Sequence, residues 1–403
     1  MLSQPIHQTK MTHLKKYEHT IYASYLGYIT QAIINNFAPL LFLTFAGQFY
    51  LTLDKITFIT TLNFLIQLII DFLAAKYVDR IGYRPCVVAA HIFSCSGLVA
   101  MAFLPDLLPN SYIGLLIAVV LYAVGGGLIE VLISPIVEAC PTEKKDAAMS
   151  LLHSFYCWGH VAVVLCSTLF FHFIGISNWK ILACLWALIP LANTFYFLFV
   201  PLYPIVSEHE RIPVRSMIKQ KTFWLLMIIM ICAGASEQGM SQWASAFAES
   251  ALNVSKTIGD LAGPLAFATL MGTARALYGK YSERIPLQKM MIASSLLCIC
   301  CYLVASLSDN PLIGLLGCAI CGFAVGIFWP GTFSIAAITL PNTGTAMYAL
   351  MALAGDVGCS AGPSVVGFIA NANDNNLKLG LLFAIIFPVV ILLGINYLGK
   401  HKK

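Results

Sequence analysis

Apolar residues in this sequence are gathered into long runs that are separated by short polar loops. Twelve runs are long enough to cross about 30 Å of hydrocarbon, which takes about 20 helical residues. We predict that they form twelve transmembrane helices, spans 1 to 12. Their approximate limits are 19–46, 55–78, 86–104, 112–139, 146–171, 178–203, 221–249, 255–281, 287–307, 311–339, 344–371 and 377–399.

Polar segments divide these spans into two sets of six. Eighteen mostly polar, partly basic residues precede span 1, which lacks a small-residue cleavage site and is expected to be a retained helix. The longest polar interruption is charged and contains Pro204 and Pro213, as a linker does. The predicted organisation is a cytoplasmic segment 1–18, a bundle 19–203, a cytoplasmic linker 204–220, a bundle 221–399 and a cytoplasmic tail 400–403.

Composition excludes a soluble globular enzyme. Hydrophobic residues make up 59% of the chain and charged residues 10%, whereas soluble domains carry about a quarter charged residues. The thirteen cysteines are found in or beside the apolar runs, where cysteine acts as a small hydrophobe. Cys318 and Cys321 form a CxxC with no second pair at metal spacing, so neither metal nor cofactor is expected.

The distribution of basic residues predicts the orientation. With both termini in the cytoplasm, eighteen of the 23 lysines and arginines fall on the cytoplasmic side and four on the outer side, while Arg275 is intramembrane. The positive-inside rule favours this arrangement. We therefore expect a multi-pass protein of the inner or plasma membrane. The net charge of +5 reflects the cytoplasmic bias, and no nucleic-acid partner is expected.

Weak self-similarity indicates a duplication. Residues 75–81 after span 2 match residues 279–285 after span 8 at a shift of 204, and 123–125 match 324–326 at a shift of 201. Parallel repeats of this kind place a binding site at the midplane of secondary transporters. The sequence therefore predicts two homologous six-helix halves with a site between them.

Short motifs resemble the major facilitator superfamily, and within it the fucose:proton symporter family. Residues 76–84 resemble the superfamily's loop 2–3 signature. The finer resemblance rests on residues 127–135, 152–155, 234–243 and 328–330, with Ser134 in place of asparagine and His153 in place of glutamine. The resemblance implies an all-α membrane protein with twelve transmembrane helices in two pseudo-symmetric six-helix bundles. It also implies proton-coupled transport of a sugar.

Ionisable side chains inside the spans need an explanation, because each costs at least about 2.5 kcal/mol at the bilayer centre and is a functional candidate. They are Asp71, Glu130, Glu237, Arg275 and Asp356. Glu138 and Asp260 lie nearer the ends of their spans, and we expect them to reach interfacial water. Asp71 and Arg275 occupy equivalent positions of the two repeats and have opposite charges.

Glu130 is the main candidate for proton coupling. It shares one face of its helix with Ser134, four residues later. By resemblance, Glu130 occupies the position of the family's substrate- and proton-linked glutamate. The alternative is a structural acid that is hydrogen-bonded to a neighbouring helix.

Polar side chains of span 1 form a second candidate. Gln31 and Asn35 are four residues apart, and by resemblance Asn35 takes the place of the family's aspartate. An amide cannot titrate, so a scheme with two coupling carboxylates would need another acid. Both side chains suit solute hydroxyls, and both equally suit hydrogen bonds between packed helices.

Span 7 carries a polar group that is typical of a sugar site. Glu237, Gln238 and Gln242 offer hydrogen bonds to hydroxyls, Trp243 offers a flat apolar wall, and Glu237 is a second proton-coupling candidate. Trp329 in span 10 is a candidate second wall. A lone tryptophan more often packs in the bundle or anchors at the lipid interface.

Two further residues have open roles. His153 replaces the family's glutamine at a substrate-contact position and is expected to donate to substrate or to titrate near pH ~6.5. Arg275 has three candidate partners, which are Asp356, Glu237 and a carboxylate on the substrate. An intramembrane ion pair among Asp71, Arg275 and Asp356, structural or gating, is favoured over direct anion binding.

Charged residues at the cytoplasmic helix ends resemble the superfamily's inner lock. They are Asp79, Arg80 and Arg84 in the first repeat and Glu283 and Arg284 in the second. The alternative is ordinary topogenic charge.

The combined interpretation is a secondary active transporter that works by alternating access, and not an enzyme. Its expected partners are a small polar solute, most readily a sugar, together with protons and the lipid bilayer, and it is expected to act as a monomer. The alternative is an importer or exporter of another metabolite or drug, such as an organic anion paired with Arg275. No GxxxxGK[ST] loop is present, so ATP drive is not expected.

Overall fold

The computed structural model describes residues 5–142, 145–203, 217–281, 286–340 and 344–400. Every regular element in these ranges is helical, which confirms the predicted all-α membrane fold. Eleven helical stretches in the described residues are long and apolar enough to cross a membrane. We number the helices α1 to α12 after the predicted spans to which they correspond.

Seven of the twelve are single helices and five are interrupted. The single helices are α2 Leu53–Ile81, α3 Tyr83–Leu107, α4 Ser111–Glu138, α5 Lys145–Ile174, α6 Trp179–Phe199, α9 Leu287–Leu307 and α11 Gly344–Ala372. The interrupted ones are α1 (Pro5–Asn36, a 3₁₀ turn Ala38–Leu41, Phe42–Gln48), α7 (Lys221–Ser241, Ala244–Ala246, a π turn Phe247–Ala251), α8 (Lys256–Asp260, a π turn Leu261–Leu265, Ala266–Tyr281), α10 (Pro311–Val325, Phe328–Thr339) and α12 (Leu377–Ala384, Ile386–Lys400).

The helix outside the group of eleven is α8. Pro264 lies inside its π turn. Proline has no N–H to donate to the preceding turn, so the regular helical hydrogen bonding is interrupted there. Asp260, Arg275 and Lys280 also make α8 more polar than the other predicted spans. Polar groups inside a membrane need protein partners. Asp260 and Arg275 form ion pairs with Lys256 and Glu237.

Contacts divide the chain into two compact units. Unit 1 comprises Met1–Asn35, Ile69–His160 and Ser177–Ser207, and unit 2 comprises Asn36–Leu68, Val161–Ile176 and Glu208–Lys403. Unit 2 therefore combines the second half of the sequence with segments of α1, α2 and α5. The predicted bundles 19–203 and 221–399 stay a prediction.

Glycines let helices approach closely within each unit. In unit 1, a Cβ at Gly125 on α4 would overlap the Ser94 side chain on α3. In unit 2, a Cβ at Gly358 on α11 would overlap the Ile231 carbonyl on α7. Small residues of this kind are how membrane helices gain packing contacts, and the close approach of α7 and α11 positions the polar groups on α7.

Candidate functional site

Two predicted site residues meet directly in unit 1. Gln31 on α1 donates from Nε2 to Oε2 of Glu130 on α4 over 3.1 Å. Gln31 is buried and Glu130 is half-buried. The amide predicted to bind hydroxyls thus contacts the acid predicted to carry the proton.

A residue that sequence reasoning missed extends this contact. The Tyr28 hydroxyl lies 3.0 Å from that of Ser134, and its ring centroid lies 5.4 Å from that of His153. Tyr28 is three residues before Gln31 and so shares its helix face, which is the signal that could have revealed it. We call Tyr28, Gln31, Glu130, Ser134 and His153 the N-terminal polar cluster.

Asp71 on α2 approaches this cluster. Its carboxylate lies within 4.8 Å of the Glu130 carboxylate, measured between their oxygens, and Asp71 is buried. Unit 1 places Asp71 beside a second acid, and its predicted grouping with Arg275 and Asp356 stays a prediction. Two ionised carboxylates at this separation repel one another by about 3 to 4 kcal/mol at an effective dielectric constant of about 20.

In unit 2, Arg275 on α8 pairs with Glu237 on α7. Arg275 Nη2 lies 3.2 Å from Glu237 Oε2, and Arg275 Nε donates to the Gly326 carbonyl over 3.3 Å. Glu237 is buried. Of the three partners that the sequence left open for Arg275, the described structure shows Glu237.

Hydrogen bonds continue from this ion pair along α7. Gln238 Nε2 donates to Glu237 Oε1 over 3.4 Å, and Gln242 Nε2 donates to Gln238 Oε1 over 3.0 Å. All three side chains are buried. We call Glu237, Gln238, Gln242 and Arg275 the C-terminal polar cluster. These hydrogen bonds fix the orientation of the two amides relative to one another.

The two tryptophans predicted as stacking walls lie in different surroundings. Trp243 is fully buried, donates from Nε1 to the Pro363 carbonyl over 2.9 Å, and lies 5.3 Å from Phe42 between ring centroids. Trp329 on α10 is half-buried and lies against Gly355 on α11.

Asn35 and Asp356 are also buried. Asn35 on α1 is 6% exposed, and Asp356 on α11 is 6% exposed. Asn35 belongs to unit 1 and Asp356 to unit 2. Their predicted contacts with solute and with Arg275 stay predictions.

The predicted lock residues are only partly described. Arg80 is exposed, and Arg84 donates to the carbonyls of Phe197, Leu198 and Val200 at 2.7, 2.9 and 2.8 Å. Arg84 therefore caps the C-terminus of α6, which favours a cation. Glu283 and Arg284 lie outside the described residues, as does the Asp79 side chain, so the lock stays a prediction.

The turn between α2 and α3 requires glycine. Gly82 has φ 99°, a left-handed conformation that other residues rarely adopt. Its N–H donates to the Val78 carbonyl over 2.8 Å, which ends α2. This turn brings Arg84 to the start of α3.

The expectation that Asp260 reaches interfacial water is wrong. Asp260 is fully buried and forms a 3.0 Å ion pair with Lys256, and it also accepts hydrogen bonds from Ser245 and Thr168. Lys256 donates to the Leu40 carbonyl over 2.6 Å. The ion pair between half-buried Lys256 and fully buried Asp260 thus links α1, α5, α7 and α8 within unit 2. Sequence spacing shows the i, i+4 pair but not its burial.

A buried histidine was also missed. His91 on α3 lies 2.7 Å from the Val87 carbonyl through Nδ1 and 2.8 Å from Asn193 Nδ2 through Nε2. The carbonyl can only accept, so Nδ1 carries the proton and Nε2 accepts from the amide. Asn193 also donates to the Ala23 carbonyl over 3.0 Å. The group joins α1, α3 and α6 and has a structural role.

Comparisons with known proteins agree with this architecture. The family description "Major Facilitator Superfamily" matches residues 24–363. No curated protein sequence matches the chain.

Three solved structures share the fold at low sequence identity. A bacterial homologue of the human lysosomal transporter Spinster, in an inward-facing and occupied conformation, has 15% identity and a TM-score of 0.76, with 96% of this chain and 97% of that chain covered. A D-xylose-proton symporter has 13% identity and a TM-score of 0.76, with 96% and 98% covered. The E. coli fucose:proton symporter has 14% identity and a TM-score of 0.63, with 94% and 98% covered.

Proposed function

Since this chain belongs to the Major Facilitator Superfamily, we propose that it is a secondary active transporter that couples movement of a small polar solute to protons. The proposal places it in the cell membrane with both termini in the cytoplasm. Each unit contains a buried polar cluster within otherwise apolar helices, and such groups mark transport pathways in membrane proteins.

The single observation that carries proton coupling is the proximity of Asp71 and Glu130. Their carboxylate oxygens lie within 4.8 Å, so repulsion favours a state in which the pair holds one proton. Gln31 donates to Glu130, and such a bond contributes about 1.5 to 3 kcal/mol. This contribution does not exceed the repulsion of about 3 to 4 kcal/mol between the two ionised carboxylates. Binding of a second proton neutralises the pair, and its release on the cytoplasmic side restores the single negative charge.

Asp71 also provides a second titratable acid, which Asn35 in span 1 does not. Asn35 cannot titrate, whereas Asp71 adds a second carboxylate next to Glu130 from a different helix. We infer that Asp71 and Glu130 carry the proton as a unit. Glu237 has a different role, because its charge is balanced by Arg275 at 3.2 Å.

The solute class that fits best is a neutral sugar. The C-terminal polar cluster presents amides and a carboxylate in a fixed chain, and Gln31, Asn35 and Tyr28 add further hydroxyl partners in unit 1. Directional donors and acceptors suit a polyhydroxylated solute. The symporters among the similar structures are named for D-xylose and fucose, and this agrees with the proposal.

The arrangement of Arg275 weighs against an organic anion as the solute. Glu237 already neutralises the guanidinium, and the Gly326 carbonyl takes a second donor. An anion would have to displace a buried carboxylate to reach it. Proton-coupled sugar transport therefore stays the preferred proposal.

Thermal stabilisation of the purified protein tests the solute class. A panel of neutral monosaccharides, the corresponding uronic acids and other small polar metabolites is added, and a ligand of the native state raises the unfolding temperature by mass action. We expect a neutral sugar to be the strongest stabiliser. Stabilisation by uronic acids or other anions alone would contradict the proposal.

Uptake into proteoliposomes tests the coupling. Glu130→Gln is expected to abolish uphill, pH-driven accumulation of the identified solute while leaving binding or exchange. Asp106→Asn is the matched control, because Asp106 pairs with Lys180 at the protein surface and belongs to neither cluster. Undiminished pH-driven uptake by Glu130→Gln would rule out this role.

A further inference from the structure

A cavity in unit 2 is lined by described residues that belong to neither polar cluster. Its volume is about 580 Å³, and it is formed by the end of α1, the start of α2, the end of α7 and the turn between α11 and α12. Thr52, Ser250, Asn371, Asp374 and Asn375 contribute its polar, exposed rim. The loops involved all fall on the predicted outer side of the membrane.

The floor of the cavity is apolar. Leu43 and Leu53 are half-buried, and Ile56 and Ala246 are buried beneath them. Small-molecule sites of about 300 to 1,000 Å³ combine such an apolar lining with a few polar groups that orient the ligand. The volume of this cavity lies in that range, and the cavity combines an apolar floor with a polar rim.

The rim is held in place by its own turn. Asp374 and Asn375 have φ 55° and φ 60°, left-handed conformations that aspartate and asparagine tolerate better than most residues. Asn376 caps α12 by accepting from the Leu379 N–H over 3.1 Å, and its own N–H donates to the Asn373 carbonyl over 3.0 Å. The rim side chains therefore project from a defined backbone.

Charge at the rim is negative. Asp374 is the one charged residue among the described residues that line the cavity. The nearest lysine in sequence, Lys378, is already committed to Asp309 at 3.1 Å and to the Ser308 carbonyl at 2.9 Å. An incoming cation would therefore find an unneutralised carboxylate, together with the amide oxygens of the rim.

We propose that this cavity binds a small organic cation with an apolar body. The apolar part occupies the floor, and the ammonium group donates to the Asp374 carboxylate and the neighbouring amide oxygens. Thr52 belongs to the first half of the sequence and Asp374 to the second, so a bound cation bridges the two halves at this end. A ligand that contacts both segments stabilises the conformation in which they lie close to one another. In the proposed alternating-access transporter, the bound cation is therefore expected to slow the exchange between conformations.

The test uses 2-phenylethylammonium on the purified full-length protein, with 2-phenylethanol and 3-phenylpropionate as neutral and anionic analogues. We expect the cation to raise the unfolding temperature most and to slow amide hydrogen exchange in both 49–53 and 371–376. No transport assay is needed, so failure here is distinguishable from failure of the proposed sugar transport.

Two variants decide whether the effect belongs to the cavity. Asp374→Asn removes the charge and keeps a side chain that suits the left-handed backbone, and it is expected to weaken the cation about fivefold. Asp106→Asn is the matched control, because Asp106 pairs with Lys180 and does not line the cavity. Ser250→Trp fills the rim and is expected to remove the stabilisation. Equal stabilisation by the neutral analogue, or stabilisation that survives both cavity variants, overturns the proposal.

Discussion

Arg275 and Glu237 form an ion pair whose two positions have equivalents in the first half of the sequence. The pair is 3.2 Å long in unit 2. The equivalents in the repeat are Asp71 and Asn35, a carboxylate and an amide. The second half thus holds an ion pair at these positions, whereas in the first half the equivalent acid lies beside Glu130. We infer that the halves have diverged into a fixed electrostatic support and a proton-binding part.

Removal of Arg275 is expected to destabilise the protein strongly. Arg275→Gln leaves Glu237 as an uncompensated buried charge, and breaking such a pair costs about 3 to 5 kcal/mol. Adding Glu237→Gln removes that charge and is expected to restore much of the loss. Thermal unfolding of the two single variants and the double variant measures this cycle. If the double variant is as unstable as Arg275→Gln, the pair does not have this role.

Asp71 is expected to affect the pH dependence of transport and not the affinity for solute. In Asp71→Asn, Glu130 loses the neighbouring carboxylate, so we expect the pH dependence of uptake to differ from that of the parent protein. Solute affinity measured by thermal stabilisation is expected to stay near that of the parent protein. An unchanged pH profile would show that Asp71 and Glu130 titrate independently.

From their equivalent positions in the sequence repeat, Asn35 and Glu237 are each expected to contribute to solute binding. Loss of a buried hydrogen-bond partner costs about 1 to 3 kcal/mol, which corresponds to roughly a tenfold to hundredfold loss of affinity. Asn35→Ala and Glu237→Ala are each expected to weaken solute binding by that factor. Thr269→Ala, at an exposed position on α8, is the control and should leave affinity unchanged. A solute that binds both variants normally would move the site elsewhere.

Lys256 is expected to be essential for stability because it balances Asp260. Lys256→Met leaves the fully buried Asp260 without its 3.0 Å cationic partner, and a loss of about 3 to 5 kcal/mol is expected. Lys256→Arg keeps the charge and is expected to retain most of the stability. Thermal unfolding of both variants checks this, and equal loss in both would point to packing instead.

The predicted inner lock and the α6 cap are separable by experiment. Asp79→Asn is expected to increase labelling of cysteines introduced on the cytoplasmic side, with little change in thermal stability. Arg84→Gln removes three hydrogen bonds to α6 carbonyls and is expected to lower thermal stability. If labelling in Asp79→Asn stays at the parental level, the charge at that position serves topology only.

Several features of this protein could be read from the sequence alone. The long apolar runs predicted the helices, because a backbone in hydrocarbon must satisfy its hydrogen bonds internally. Spacing along one helix also predicted which side chains share a face. Gln238 and Gln242 are four residues apart and are hydrogen-bonded at 3.0 Å, as helical geometry requires. The π turn that interrupts α8 was not predicted. The prediction used the length of the apolar run, and a local change of helix type does not alter that length.

Only the tertiary structure decided which helices supply each polar partner. The sequence did not show that Asp71 lies beside Glu130, and Asp260 was expected in water and is fully buried. Tyr28 was not singled out and contacts Ser134 from another helix. Spacing determines neighbours on one helix, whereas a contact between helices depends on how each is rotated and how closely glycines let them approach. That information lies in the packing of side chains far apart in sequence.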